Sequence, residues 1–273
     1  MPRIAICAPA TPITPKDAER VEEIAAEVGV ALYFHPQCFA ESGHFAGPDE
    51  QRLAAFLDCS NDPAFNGVWF ARGGYGSNRI ALQAMPGLES AARDKTYLGY
   101  SDMGYLLAAL YKADVGQPVH GPMVVDVRRA GGEQAARRAL RFFAGDRQGL
   151  EPSLNDRPTV AFNLMTLATL VGTELMPDLS GHVVVVEEVS EHLYAIDRMF
   201  FHVTQHLKGI AGLRLGRVTD IPENDREFGA DAAEIARDWC DRSGIPFLGH
   251  ADIGHDVANR IVPFGVAGRG RAS

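Results

Sequence analysis

Short apolar runs separated by polar, breaker-rich stretches set the rhythm of the first half of this chain. Residues 3–8 (Arg3-Ile4-Ala5-Ile6-Cys7-Ala8), 67–71 (Gly67-Val68-Trp69-Phe70-Ala71) and 96–99 (Thr96-Tyr97-Leu98-Gly99) are three such runs. Their length and continuity predict strands buried on both faces. Residues 16–28, bounded by Pro15 and Gly29, carry the spacing of an amphipathic helix, and 49–57 predict a helix opened by Pro48. Helical pattern follows each of the two later strands, including the apolar stretch 105–112. Such alternation predicts a doubly wound, mostly parallel α/β sheet with helices on both faces. Residues 144–158 are polar and contain Gly145, Gly149, Pro152 and Asn155, which places a domain boundary there. The first domain is expected over 1–150 and the second over 158–273. In the second half the pattern predicts helices at 164–171 and 195–207, a β-branched strand at 182–186, and further strands at 212–218 and 246–248. That is a smaller α/β domain.

Two strand ends carry candidate chemistry. The run 96–99 leads into Tyr100-Ser101-Asp102 and then directly into a helix. A serine on so tight a turn has its hydroxyl exposed beside the N–H groups of a helix N-terminus, which suits acyl transfer. A serine in this position also serves as an ordinary N-cap. The run 67–71 ends in Arg72-Gly73-Gly74-Tyr75-Gly76-Ser77-Asn78-Arg79, a glycine-rich loop able to approach a ligand closely. It lacks the third glycine of the dinucleotide pattern, and the chain has no Gly-Lys-Ser/Thr of a P-loop. In parallel sheets ligands bind beyond the carboxyl ends of strands, and both motifs occupy that edge.

Together these segments resemble the LD-carboxypeptidase family, serine peptidases that include the microcin C self-immunity hydrolases. Arg72-Gly73-Gly74-Tyr75-Gly76 and Gly99-Tyr100-Ser101-Asp102 are similar to its most specific motifs. The likeness continues in Ile4–Ala10, Gly43-His44-Phe45-Ala46-Gly47, Asp49–Arg52 and His120-Gly121-Pro122-Met123. Later it includes Asn163-Leu164, Leu170-Val171-Gly172-Thr173, Glu187-Glu188-Val189-Ser190-Glu191, Gly254-His255 and Val262-Pro263-Phe264-Gly265. Ala161-Phe162 stands where such proteins often carry two glycines, and the chain is short for the family.

A serine nucleophile needs a base, and the base needs an orienting acid. His255 resembles the family's catalytic Gly-His and has its apolar-Pro-apolar-Gly continuation; His250 also follows a glycine but lacks that continuation. His120 is a candidate for lining the cleft. For the acid, Glu187 and Glu188 emerge at the end of the valine run 183–186 and alternate between faces. One is expected to point into a cleft while the other stays in solvent. The resemblance favours Glu187, with Glu188 the competitor and Glu191 behind it. It implies the triad Ser101, Glu187, His255, assembled at the interface between the domains. A serine mechanism on these residues puts the oxyanion against the backbone N–H groups of Gly74 and Asp102, with substrate contacts from Arg72, Gly73 and Tyr75. An arginine suits the free carboxylate that a carboxypeptidase must bind, and Arg72 is the one nearest the glycine-rich loop by sequence, with packing on the strand end as its alternative role.

The activity so implied is release of terminal D-alanine from muropeptide tetrapeptides during peptidoglycan recycling, by a homodimer acting on small peptides. A microcin-immunity-type hydrolase of peptidyl or aminoacyl nucleotides is the alternative enzyme. A non-catalytic two-domain protein that binds a small ligand is the alternative of another class. No cofactor is implied.

Composition narrows the choice. At 273 residues, with 46% hydrophobic and 22% charged residues, the chain is an ordinary globular protein larger than one typical domain. A net charge of −9 gives nucleic-acid binding little support. The basic pairs Arg128-Arg129 and Arg137-Arg138 are expected on a solvated helix face. Cys7, Cys38, Cys59 and Cys240 have neither zinc-ligand spacing nor that of a disulfide framework, and no metal site is expected. Residues 4–10 are too short for a signal-peptide core, and no later run approaches membrane-span length, so a cytoplasmic location is the default expectation.

Overall fold

A computed structural model describes residues 1–266. The first domain runs β1 (Arg3–Cys7), α1 (Pro15–Val28), β2 (Ala31–Phe34), α2 (Asp49–Asn61), β3 (Gly67–Phe70), α3 (Asn78–Ala84), β4 (Thr96–Gly99), α4 (Gly104–Lys112), β5 (Gln117–His120) and α5 (Gly132–Phe143). The second runs β6 (Thr159–Asn163), α6 (Leu164–Leu170), β7 (Val183–Val189), α7 (Leu193–His206), β8 (Gly212–Thr219), α8 (Ala232–Ser243) and β9 (Phe247–His250), before β10 (Val262–Pro263). The last seven residues expected in the second domain, 267–273, lie outside the described residues.

In the first sheet, β2-β1-β3-β4-β5 are parallel. Helices α2, α3 and α4 cover one face through Ala55, Phe56, Ala81 and Leu106, while α1 and α5 cover the other through Val21, Ile24, Ala136 and Leu140. This is the doubly wound arrangement that the apolar runs predict. Local signals fix the helix ends: α1 starts with a Thr14/Asp17 capping box and Pro15 at N1, and stops at Gly29 in the left-handed region.

The second sheet, β6-β7-β8-β9, is also parallel. Helices α6, α7 and α8 pack on one face against Val184, Val186, Leu213 and Leu215. On the other face Ala161, Val183 and Val185 pack with Ala251, Ile253 and Val262. Strand β7 is therefore covered on both sides, the second time by the 251–261 loop.

The chain then crosses back. Strand β10 pairs antiparallel with β5, Val262 opposite His120, and Gly265 exchanges two backbone hydrogen bonds with Thr159 at the start of β6. The loop that carries His255 is thus anchored downstream in the first sheet. Among the described residues no helix is long and apolar enough to cross a membrane.

Candidate active site

Because β1, β3, β4 and β5 are parallel, the loops leaving their carboxyl ends meet on one edge of the first sheet. Ser101 leaves β4 with φ at 59°, a left-handed conformation that costs a non-glycine residue energy. It opens a 3₁₀ turn, Ser101–Met103, that runs straight into α4. The N-cap positions belong to Tyr100 for the turn and Met103 for the helix, so Ser101 is not the cap.

The glycine-rich loop comes up against it. A Cβ added at Gly73 would lie 3.4 Å from the Ser101 Oγ, and Gly74 has φ at 104°. Side chains hold this loop in place. Thr11 Oγ1 donates to the Gly73 carbonyl at 2.6 Å, and the buried Asp102 carboxylate accepts from the N–H groups of Gly76 (3.3 Å) and Ser77 (2.9 Å). Sequence reading assigns Asp102 only a backbone role; its side chain also ties the two motifs together.

His255 reaches the same cleft from the second domain. Its Nδ1 hydrogen-bonds Glu187 Oε2, and its ring lies 4.8 Å from that of Tyr100. Glu187 is fully buried at a β-bulge where the β7–β8 register shifts between Val186 and Glu188. Bulges near functional sites commonly re-aim a side chain. Burial alone would lower the His255 pKa, but the charge and hydrogen bond of Glu187 outweigh it and raise the value above an ordinary histidine's. A second layer orients the loop: Asn259 Oδ1 accepts from the Gly254 N–H and contacts His120 Nε2, both at 3.2 Å.

The cleft has a volume of about 490 Å³ and is lined by Ser101, His255, Gly73, Gly74, Tyr100, Met123 and Val189, together with Arg72, Arg128, Arg129 and Asp126. Its arginines are not equivalent. Arg128 is committed bidentately to Asp17, at 2.8 and 2.6 Å, and Arg129 pairs with Asp126 at 3.2 Å. Asp126 also accepts from Tyr100 Oη and the Met123 N–H. Arg72 donates to the Pro12 carbonyl at 3.3 Å, and among the described residues no carboxylate pairs with it. Partial burial and the charge of Arg128 push its pKa down.

Several expectations need correction. Arg128 and Arg129 are solvent-exposed as expected, but at the 3₁₀ turn after β5 rather than on an α-helix, and from there they also line the cleft. Arg138 is likewise engaged, donating to the carbonyls of Val257 and Asn259 in the His255 loop. His120 does not line the cleft: it is fully buried behind Tyr100, where burial pushes its pKa down to about 3. Glu188 is not in solvent, because α6 covers its face of β7; it is 2% exposed, and burial raises its carboxyl to about 7. His250 is exposed at the end of β9. Tyr75 is not among the cleft-lining residues; its ring packs with Phe45 and His44 and is 48% exposed. Among the described residues no group of three or more His, Cys, Asp or Glu side chains is arranged to hold a metal ion.

Known proteins resemble the chain along most of its length. Residues 4–121 match the LD-carboxypeptidase N-terminal domain and residues 158–269 the LD-carboxypeptidase C-terminal domain. A murein tetrapeptide carboxypeptidase of Pseudomonas aeruginosa is 28% identical over 298 residues, covering 96% of this chain and 91% of that protein. The crystal structure of a muramoyltetrapeptide carboxypeptidase from Oxalobacter formigenes superposes with a TM-score of 0.81 at 25% identity, covering 96% of this chain and 92% of that one. A microcin C7 self-immunity protein in complex with aspartyl sulfamoyl adenosine shares the fold, with a TM-score of 0.77 at 18% identity over 97% of this chain and 91% of the other.

Proposed function

The chain belongs to the LD-carboxypeptidase family, and from that premise we propose that it is a serine carboxypeptidase releasing terminal D-alanine from muropeptide tetrapeptides in peptidoglycan recycling. One observation carries the reading: a serine held at positive φ shares a cleft with a histidine whose Nδ1 is bonded to a buried glutamate. In this mechanism Ser101 Oγ bonds to the scissile carbonyl carbon as its proton passes to His255 Nε2. Glu187 keeps the proton on Nδ1 and stabilises the imidazolium. The backbone N–H groups of Gly74 and Asp102 receive the oxyanion, each donor contributing about 3–4 kcal/mol in comparable sites. The proton then passes to the departing D-alanine nitrogen, and water repeats the sequence on the acyl-enzyme to free the shortened peptide.

Arg72 binds the terminal carboxylate of the substrate, since it is the cleft arginine without a carboxylate partner. We keep the cytoplasm as the default location, and take the enzyme to be a homodimer on the family resemblance. A fluorophosphonate probe tests the chemistry: it should modify Ser101 of the wild type and leave Ser101→Ala unlabelled. Equal labelling of both would remove the nucleophile assignment, and no labelling would favour a ligand-binding protein. Faster turnover of an aminoacyl sulfamoyl adenylate than of a tetrapeptide would move the substrate to the nucleotide class.

A further inference from the structure

Glu187 and Glu188 are adjacent, both buried, and face opposite sides of β7. Only the first has a place in the mechanism above. Glu188 turns toward α6, where one carboxylate oxygen accepts from Asn163 Nδ2 at 2.7 Å and from the Val189 N–H at 2.8 Å. The other accepts from the Met165 N–H at 2.7 Å. Three donors offset the cost of burying the group, which is otherwise high.

Those donors belong to the first turn of α6 and to the cleft wall. Asn163 caps α6, its Oδ1 accepting from the Thr166 N–H at 3.0 Å. Thr166 Oγ1 in turn donates to the carbonyl of Ser101 at 3.3 Å, across the boundary between the domains. The approach is close enough that a Cβ at Gly104, three residues beyond Ser101, would lie 2.8 Å from Thr166 Cγ2. Val189, whose N–H Glu188 holds, lines the cleft. A residue at positive φ persists only where its surroundings over-determine it, and this contact is one of the constraints on Ser101.

We propose that Glu188 is a positioning residue for the nucleophile: it fixes the first turn of α6, through which Thr166 holds the Ser101 turn. The pair of glutamates then divides the work, Glu187 orienting the base and Glu188 the serine. This inference rests on the reading of Ser101 as nucleophile.

The test is a double-mutant cycle on reactivity. Glu188→Gln keeps the volume but sets an amide donor against backbone and Asn163 donors, and Thr166→Val removes the hydroxyl that reaches Ser101. For each single variant and the double, kcat, KM, the rate of fluorophosphonate labelling and the melting temperature are measured. Glu188→Gln should lower kcat and the labelling rate about 10- to 100-fold with KM within about twofold, because small misplacements of a reacting group cost rate rather than binding. Glu188→Asp, which keeps the charge, should recover part of the loss. The double variant should be little worse than the more severe single one, since the two residues act through one path.

Unchanged kcat in Glu188→Gln, a change confined to KM, or losses that multiply in the double variant would overturn the proposal. Should Glu188→Gln fail to fold, Thr166→Val decides alone: slower labelling at an unchanged melting temperature supports the path, and wild-type labelling refutes it. If the wild type itself is not labelled at Ser101, the nucleophile reading falls and this inference with it.

Discussion

Replacing Glu187 with glutamine removes one charge from the centre of the proposed triad with almost no change in volume. The site gives reasons to expect a large effect. Glu187 is 0% exposed, so solvent screens its interaction with His255 very little, and its Oε2 is bonded to Nδ1 of that ring. An amide in this place offers no charge to the imidazolium, and its N–H₂ can favour the tautomer whose Nε2 already carries a proton. Losing the carboxylate in comparable triads costs about 10⁴-fold in kcat, or about 5.4 kcal/mol of transition-state stabilisation. We expect a loss near that figure. The assay is the steady-state rate of D-alanine release, with melting temperature recorded alongside. Glu191→Gln, the third acid of the same run, serves as the control and should stay within about twofold of wild type. A folded Glu187→Gln enzyme that keeps more than about a tenth of wild-type kcat would refute the assignment, since triad losses span orders of magnitude.

Three further outcomes follow from the geometry. His255 must be neutral to act as base, and Glu187 raises its pKa against the opposing effect of burial, so kcat/KM should fall as pH drops through a value above an ordinary histidine's. Stability has the opposite sign: the protonated pair stabilises the fold below the unfolded-state pKa, and that contribution fades as pH rises through the raised folded value. An acid limb below the ordinary histidine range would contradict the Glu187 contact. Gly74→Ala should cost about 10²–10³ in kcat, because φ is 104° there and the new Cβ would sit 2.9 Å from Thr11 Cγ2, displacing an oxyanion donor; undiminished kcat would take Gly74 out of the mechanism. Incubation with EDTA should leave the rate unchanged, and a loss restored by zinc would sink the serine mechanism.

How far the molecule can be read from its sequence depends on how local each determinant is. Strand β4 follows from the short run Thr96-Tyr97-Leu98-Gly99, and the turn at Ser101 from the abrupt change to helical pattern behind it. Strand β5 does not announce itself: Gln117-Pro118-Val119-His120 has a proline inside and polar ends, and only pairing with β4 and β10 makes it a strand. Helix α8, absent from the expected elements, is legible both in its Asp231/Glu234 capping box and in the helical spacing of Ala232, Ile235, Ala236 and Cys240. The alternation of Glu187 and Glu188 is legible, but their shared burial is not, because α6 covers one face of β7 and a loop some 65 residues downstream covers the other. For the same reason Asp126, Asn163 and Thr166 give no sign of what they hold: their partners lie in other elements or across the domain boundary. The Asn163-x-x-Thr166 cap is the one local clue, and it points to a helix start rather than to Ser101.

The central claim is that Ser101 of this protein cleaves the bond to a terminal D-alanine. Mass spectrometry of a muropeptide mixture before and after incubation addresses it directly, with wild-type protein and Ser101→Ala compared side by side. We predict that the wild type converts tetrapeptide species into products lighter by one alanine residue and releases free D-alanine, while Ser101→Ala, folded to the same melting temperature, leaves the mixture unchanged. Tetrapeptides that survive the wild-type protein, or that Ser101→Ala trims at the same rate, would contradict it.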